Sequence, residues 1–103
     1  MQIRITARQF DATDGLRDHV TQQIESLDKV YNGILDAHVV LTEEAEDRKR
    51  ADVTLQVYRQ TITAQDTAQT HDAAVHACVK HLRRQLLRFK DQLRDKGDRQ
   101  VRA

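Results

Sequence analysis

Residues 51–66, ADVTLQVYRQTITAQD, contain two alternating runs of apolar and polar residues joined by a short connection. In the first run every second residue is apolar: Ala51, Val53, Leu55 and Val57. The second run repeats this period of two with Ile62 and Ala64, and such a period is typical of a half-buried strand. The connection YRQ is short enough only for a hairpin, although it lacks the glycine usual at such turns. The stretch therefore predicts two neighbouring antiparallel strands with one apolar face.

Two more strands and a helix are predicted on the N-terminal side of this hairpin. Residues 2–7, QIRITA, alternate polar and apolar, and residues 37–44, AHVVLTEE, are rich in β-branched side chains. Between them, apolar residues recur at helical spacing: Leu16, Val20, Ile24, Leu27 and Tyr31. Thr13 is the expected N-cap of this helix, and Gly33 the expected left-handed stop.

A second helix is predicted after the hairpin, from about His71 to Lys96, with Thr70 as its cap and Gly97 at its end. Its apolar residues form one stripe: Val75, Val79, Leu82, Leu86, Phe89 and Leu93. The order β-α-β-β-β-α predicts a single α+β domain over residues 1–96, with a four-stranded sheet and both helices on one face. Residues 97–103 are expected to form a flexible basic tail.

Positive charge is concentrated at the C-terminal end of the chain. Residues 1–75 hold 8 Lys and Arg against 13 Asp and Glu, whereas residues 76–103 hold 9 against 3. No acidic residue occurs between Ala73 and Lys90. At about 100° per residue, the cations project away from the apolar stripe: Lys80, Arg83, Arg84, Arg88 and Lys90. This pattern favours a polyanionic partner, with a merely solvated helix face as the alternative.

The sequence shows no convincing catalytic or metal-binding pattern. His71, His76 and His81 are spaced five apart, so on a helix they point in different directions and cannot share a metal. Cys78 and His81 have the spacing of a nucleophile pair, but Cys78 lies at the margin of the apolar stripe, where we expect an inert buried thiol. We therefore expect no enzyme activity and no cofactor.

The same composition bears on the compartment. No apolar run approaches the ~20 residues that span a bilayer, and the N-terminus lacks the apolar core of a signal peptide. A single cysteine fits a reducing compartment. The sequence predicts a cytoplasmic protein with no membrane partner and no small-molecule substrate.

Three segments resemble one known family. Residues 1–20 are similar to an I-x-I-T strand followed by a T-x-x-L-R helix start, and residues 26–41 to a K-L-E-K…V-x-V-V-L passage. Residues 72–94 are similar to a K-L-x-R-Q-L-x-K-x-K-D string, with these positions matching: Leu82, Arg84, Gln85, Leu86, Arg88, Lys90 and Asp91. Together they resemble the ribosome hibernation promoting factor and ribosome-associated inhibitor A family, over residues 1 to about 96.

The resemblance implies a non-catalytic protein that binds the small ribosomal subunit in the channel used by mRNA and tRNA. It implies contacts with ribosomal RNA through basic residues of the helices, and inhibition of translation in stationary phase or stress. The chain looks like a short hibernation promoting factor without the C-terminal dimerisation domain of long forms. Whether it promotes ribosome dimers or silences single ribosomes does not follow.

The RNA contacts carried over from the family motif are Arg84, Arg88 and Lys90. Charge geometry adds two residues of the same helix face: Lys80 and Arg83. Two positions assigned to the first helix match basic positions of the family: Arg17 and Lys29. Asp72 stands where the family usually has Tyr, and His81 where Lys is common. These departures are expected to weaken individual contacts, and His81 to make binding respond to pH.

Two other functions compete with this one. A double-stranded-RNA-binding domain shares the α-β-β-β-α core, but it normally places a lysine cluster at the start of its last helix. Here that helix begins THDAAVHA and becomes basic only later. The other alternative is a small stress-response module whose basic helix binds an acidic protein.

Overall fold

The structure, a computed structural model, describes the backbone of residues 1–102 and the side chains of residues 1–93. Strands β1 (Gln2–Arg8), β2 (Asp36–Ala45), β3 (Arg48–Val57) and β4 (Gln60–Ala68) form one sheet. Helix α1 (Asp14–Glu25) and a 3-10 helix (Ser26–Lys29) follow β1, and helix α2 (His71–Arg102) follows β4. The predicted order β-α-β-β-β-α and the α+β fold class are confirmed.

The strands lie in the order β1-β2-β3-β4. β1 pairs with β2 in parallel, whereas β2–β3 and β3–β4 are antiparallel hairpins. The parallel pair needs a long crossover connection, which α1 supplies. One row of the register joins Gln2, Asp36, Gln56 and Thr61 across all four strands.

The core lies between one face of the sheet and the two helices. The alternating apolar residues of β2 and β3 are buried, and β3 shows the inward set that the sequence predicts: Ala51, Val53, Leu55 and Val57. From α2 the stripe residues between Val75 and Phe89 are buried against them, and Leu93 is partly buried at the margin. Burying each such aliphatic side chain contributes about 1.5–3 kcal/mol, so α2 is held to the sheet by its stripe.

Both predicted helix N-caps are confirmed. The Thr13 hydroxyl accepts a hydrogen bond from the Leu16 amide at 3.1 Å, and the Thr70 hydroxyl accepts one from the Ala73 amide at 3.1 Å. Each satisfies an amide that would otherwise lack a partner in the first helical turn.

The predicted end of the first helix is wrong. The α-helix ends at Glu25 and tightens into the 3-10 helix before the chain turns, and Gly33 does not have a positive φ. Gly33 is needed for space instead, because an added Cβ would overlap the Tyr31 ring, coming within 2.8 Å of its Cε2 atom. That ring packs edge-on against Phe89 of α2, with centroids 5.5 Å apart.

The β3–β4 connection is a hairpin, as predicted, and its two turn residues are Tyr58 and Arg59. Arg59 takes the place of the usual glycine with a φ of 59°. At the C-terminal end of the chain, α2 continues past Gly97, where the sequence predicts its stop. A glycine within a helix costs only about 1 kcal/mol relative to alanine, so it need not end one. The predicted flexible tail, residues 97–103, lies outside the described side chains and stays a prediction.

Two residues considered for chemistry lie inside the core instead. Cys78 is fully buried, its thiol donates to the Ala51 carbonyl at 3.5 Å, and burial raises the pKa of that thiol to about 12. His71 is 7% exposed and stacks on Phe10 with centroids 4.3 Å apart. Its Nε2 atom lies 3.1 Å from the Thr42 carbonyl oxygen, a contact in which the ring nitrogen donates.

We predict that Gly33→Ala lowers the free energy of unfolding by about 1–3 kcal/mol, because the new methyl group displaces the Tyr31 ring from Phe89. Urea unfolding of the purified variant measures this effect. Gly15→Ala is the matched control, since a Cβ there meets only Thr13 Oγ1 at 4.0 Å. The control should be neutral or stabilising by about 0.5–1 kcal/mol. A Gly33→Ala cost that is unchanged in a Tyr31→Ala background would contradict the steric explanation.

We also predict that Cys78 reacts with a thiol reagent at pH 8 only through opening of the fold, because the protonated, buried thiol is not nucleophilic. The measurement is the rate of colour release from a disulfide reagent, with and without urea. The native rate should be at least about a thousandfold below the urea-unfolded rate, given the low population of open states. Comparable rates in the two conditions would show that the thiol is accessible.

Candidate nucleic-acid interface

The five cations predicted on α2 all project into solvent: Lys80, Arg83, Arg84, Arg88 and Lys90. Their placement follows from the helical repeat, because the stripe on the opposite side of α2 is buried in the core. Within the residues whose side chains are described, these cations therefore form one exposed surface, here called the cationic face.

The cationic face has two flanks, which contacts with neighbouring elements define. On one flank, the Oδ1 atom of Asp72 on α2 lies 2.5 Å from the Nε2 atom of His19 on α1. The same oxygen accepts a hydrogen bond from the side-chain amide of Gln23 at 2.9 Å. Lys90 follows Asp72 after about five turns, so it lies on the same flank, where its Nζ atom is 3.5 Å from the Val30 carbonyl oxygen.

The other flank borders β4. The side-chain amide of Gln85 donates to the Thr63 carbonyl at 2.9 Å, and His81 lies 3.6 Å from an Asp66 carboxylate oxygen. Arg88 follows His81 after about two turns and therefore lies on this flank. Arg84 lies between the flanks, on the crest of the helix.

The cations of the cationic face form no ion pair with any residue among 1–93, and their one described hydrogen bond is that of Lys90. Two arginines of the sheet behave differently. Arg4 pairs with Asp36 at 3.0 Å, and Arg50 pairs with Asp52 at 2.9 Å. Arg4 and Arg50 are therefore neutralised locally, whereas the five cations of the cationic face are not, so we expect a strong positive potential over that face.

The same pairing explains two pKa shifts at the sheet. A hydrogen bond from Lys49 lowers the pKa of Glu43, and a hydrogen bond to Asp52 raises the pKa of Arg50. Each shift stabilises the charged form of its group. The acidic and basic side chains at this end of β2 and β3 therefore stabilise one another's charged forms.

Lys29 joins the cationic face from outside α2. The sequence predicts Lys29 on the first α-helix, but it belongs to the 3-10 helix that follows. Lys29 and Lys90 line the same shallow groove, together with Tyr31 and Asn32. The groove brings two ammonium groups from distant parts of the chain to one end of the cationic face.

Arg17 does not lie with the other predicted contacts. Its guanidinium donates to the Ile5 carbonyl of β1 at 3.2 Å and is half-buried. On α1, His19 and Gln23 are the residues that turn toward α2. Arg17 precedes His19 by two residues, about 200° around the helix, and so lies on the far side of α1 from the cationic face.

The residues considered for catalysis are not brought together. The Cys78 thiol points to the sheet while His81 faces Asp66, so they do not form a nucleophile pair. Among residues 1–93, no three His, Cys, Asp or Glu side chains are placed to hold a metal ion. The described part of the chain contains no helix that is long and apolar enough to cross a bilayer.

Two features of this surface were missed by the sequence analysis. One is the contact of Asp72 with His19 and Gln23 of α1. The spacing of residues within α2 gives no sign of partners on another helix, so this contact was not predicted. The turn residues Tyr58 and Arg59 form a second exposed basic element, with the guanidinium 5.2 Å from the ring centroid. The missing turn glycine was the available signal for the latter.

Solved structures with the same fold include two bacterial proteins. The Thermus thermophilus Protein Y N-terminal domain superposes with a TM-score of 0.77 and 28% identity, over 86% of this chain and 99% of that one. A ribosomal subunit interface protein from Coxiella burnetii gives a TM-score of 0.81 at 21% identity, over 88% and 99% of the two chains. The latter likeness supports the fold alone.

Sequence relatives carry one common description. A ribosome hibernation promoting factor from Azotobacter vinelandii is 31% identical over 91 residues, covering 88% of this chain and 84% of its own length. The protein of the same description from Escherichia coli K12 is 33% identical over 94 residues, covering 91% and 98%. A Lactococcus lactis ribosome hibernation promotion factor matches at 29% identity, and only 53% of its length is covered.

The family model for Sigma 54 modulation protein / S30EA ribosomal protein matches residues 3–94, which include all but the first residue of the four strands, and the cationic face. The match covers nearly all of the residues whose side chains are described. It agrees with the resemblance found in the sequence. This chain therefore belongs to the Sigma 54 modulation protein / S30EA ribosomal protein family.

Proposed function

We propose that this protein is a ribosome hibernation factor that binds the small ribosomal subunit in the mRNA and tRNA channel and inhibits translation in stationary phase or stress. Ribosomal RNA is the proposed ligand of the cationic face, and the cytoplasm the proposed compartment. Membership of the family and the descriptions of its relatives support the ribosomal role. The observation that carries this proposal is the contrast between the cations of the cationic face, which form no ion pair among residues 1–93, and Arg4 and Arg50 of the sheet, which do.

The geometry of the cationic face suits the phosphate backbone of RNA. Arginine predominates there, and its fork of donors matches phosphate oxygens better than a point charge does. Such contacts position a protein without reading base identity. Five contacts to single-stranded or irregular RNA give a log–log salt slope of roughly −3 to −4. The proposed contacts are Arg84, Arg88 and Lys90, with Lys80, Arg83 and Lys29 beside them.

Arg17 has a different role in the proposal. Because its guanidinium is half-buried against β1, it supports the docking of α1 and lies apart from the RNA-binding surface. Asp72 likewise serves the contact between the two helices, since it accepts from Gln23 and lies beside His19. Both residues affect binding indirectly, by holding the elements that carry the cations.

We predict that the triple variant Arg84→Gln/Arg88→Gln/Lys90→Gln folds normally but binds purified small subunits at least tenfold more weakly. Its salt slope should be less steep by about 2, because three phosphate contacts are lost. Co-sedimentation over a range of KCl concentrations measures both quantities. Messenger RNA and initiator tRNA should compete with the wild-type protein for the subunit.

The matched control is Arg4→Gln/Arg8→Gln/Arg50→Gln, which removes the same charge from the opposite, solvent-facing side of the sheet. This control should bind like the wild type. Equal losses in the two triple variants would indicate a non-specific effect of net charge and would reject the cationic face. Equal affinity of the wild-type protein for any RNA duplex of about 16 base pairs would favour the double-stranded-RNA-binding alternative.

A further inference from the structure

The turn between β3 and β4 presents an aromatic side chain at the tip of the hairpin. Val57 pairs with Gln60, so Tyr58 and Arg59 alone make the turn. Arg59 has a φ of 59°, in the left-handed region that glycine or asparagine adopts more readily. A left-handed arginine is strained relative to glycine, and strain of this kind persists only where the surrounding structure holds it. A hairpin turn alone does not explain this choice of residues.

The two side chains form one exposed unit. Tyr58 is 59% exposed, although an aromatic ring would normally be buried or packed. The Arg59 guanidinium carbon lies 5.2 Å from the ring centroid, in the range of a cation–π contact. Tyr31 and Phe10, by contrast, pack against Phe89 and His71. Among the rings described, Tyr58 is therefore the one that is held outside the core.

The tip lies at the same end of the molecule as the C-terminal part of the cationic face. The contact between Gln85 and Thr63 fixes the position of α2 along β4. α2 starts near Thr42, at the opposite end of the sheet, so it runs antiparallel to β4 and toward the turn. Arg88 follows Gln85 by about one turn and therefore lies nearer to the tip, on the flank that borders β4.

The chemistry of the unit selects among possible ligands. A ring with an adjacent guanidinium, at the same end of the molecule as part of the cationic face, suits an unpaired nucleobase, because every base has a π-face that stacks on an aromatic ring. The bases of a duplex are already stacked and offer no such face to a side chain. An apolar protein segment would suit the ring too, and Leu35 is exposed at this end of the sheet, but it would leave the guanidinium without a role.

We propose that Tyr58 and Arg59 form a stacking site for one unpaired base of the RNA that the cationic face binds. This inference rests on the proposed function and adds to it a preference for single-stranded segments. The base stacks on the tyrosine ring, while Arg59 contributes its guanidinium plane and a charge for the neighbouring phosphate. The strained turn holds both groups away from the sheet.

The first test is the affinity of Tyr58 variants for small subunits in the co-sedimentation assay. Tyr58→Ala should weaken binding about 5- to 150-fold, the effect of losing one base–aromatic stack. Tyr58→Phe should bind like the wild type, since it keeps the ring. The salt slope should be unchanged in both, because no charge is removed. Wild-type affinity of Tyr58→Ala would overturn the stacking site.

Arg59→Asn is the companion variant. Asparagine tolerates the left-handed backbone, so the turn should keep its stability while the guanidinium is lost. We expect weaker binding with a salt slope less steep by about 0.7 to 0.9, the value of one phosphate contact. Unchanged affinity and slope would remove Arg59 from the site.

A direct measurement uses tyrosine fluorescence, because the chain has two tyrosines and no tryptophan. In a Tyr31→Phe background Tyr58 is the only emitter, and stacking with a base should quench it. The probe is a mixed-sequence single-stranded hexaribonucleotide, compared with the same sequence as a duplex. Quenching by the single strand and not by the duplex supports the proposal, whereas equal quenching by both, or by neither, overturns it.

These outcomes separate the two proposals. If the triple α2 variant loses ribosome binding while Tyr58→Ala does not, only the stacking site fails. If the wild-type protein does not sediment with small subunits at all, the proposed function fails. If Tyr58→Ala loses ribosome binding but the hexaribonucleotide leaves the Tyr58 emission unchanged, the ring contacts a ribosomal protein and the RNA assignment is rejected.

Discussion

Burial of one side of α2 against the sheet fixes the direction of the charges between Lys80 and Lys90. A helix repeats every 3.6 residues, so once the stripe from Val75 to Phe89 faces the core, the residues on the opposite side of the helix must face outward. Lys80, Arg84 and Arg88 follow one another at four-residue spacing in a stretch without acidic residues, and their mutual repulsion opposes helix formation. Core packing offsets this repulsion, and the fold can thus carry a concentrated positive charge in the absence of a ligand.

Arginines on the sheet and cations on α2 differ in whether a carboxylate lies beside them. On the sheet, Arg4 and Arg50 each lie within 3.0 Å of a carboxylate, so their fields largely cancel beyond a few ångströms. On α2 the described partner of Lys90 is a backbone carbonyl. A net charge of only +1 therefore coexists with a strongly polar surface. Net charge is a poor guide to polyanion binding in such a protein, because the distribution of charge decides it.

Local periodicity made the strands, the two N-caps, the core stripe and the cationic face predictable from the sequence. Where a residue depends on a partner from a distant segment, the sequence was insufficient. Gly33 was predicted to end the first helix in a left-handed conformation, but it makes room for the Tyr31 ring, which packs against Phe89. Arg17 has the residue type of an RNA contact, yet the carbonyl of Ile5 holds it against β1. No pattern within either helix indicates these pairings.

The candidate site divides in the same way. The exposure of Arg84, Arg88 and Lys90 follows from their positions in the helical repeat, so the sequence sufficed for them. The approach of Lys29 to Lys90 depends on how the 3-10 helix ends, which the sequence placed incorrectly. The orientation of Tyr58 depends on the left-handed backbone of Arg59, and such a conformation is not predictable for a residue other than glycine.

The parallel pairing of β1 with β2 has a consequence for how the chain folds. β2, β3 and β4 are joined by short turns and can associate through contacts that are local in sequence, whereas β1 must wait for α1 to close the crossover. We therefore expect the meander of β2–β4 to form first with α2, and β1 to join last. During synthesis β1 leaves the ribosome before the other three strands of this sheet. It would then spend the longest time unpaired, and its charged side chains Arg4 and Arg8 would help to keep that waiting strand from aggregating.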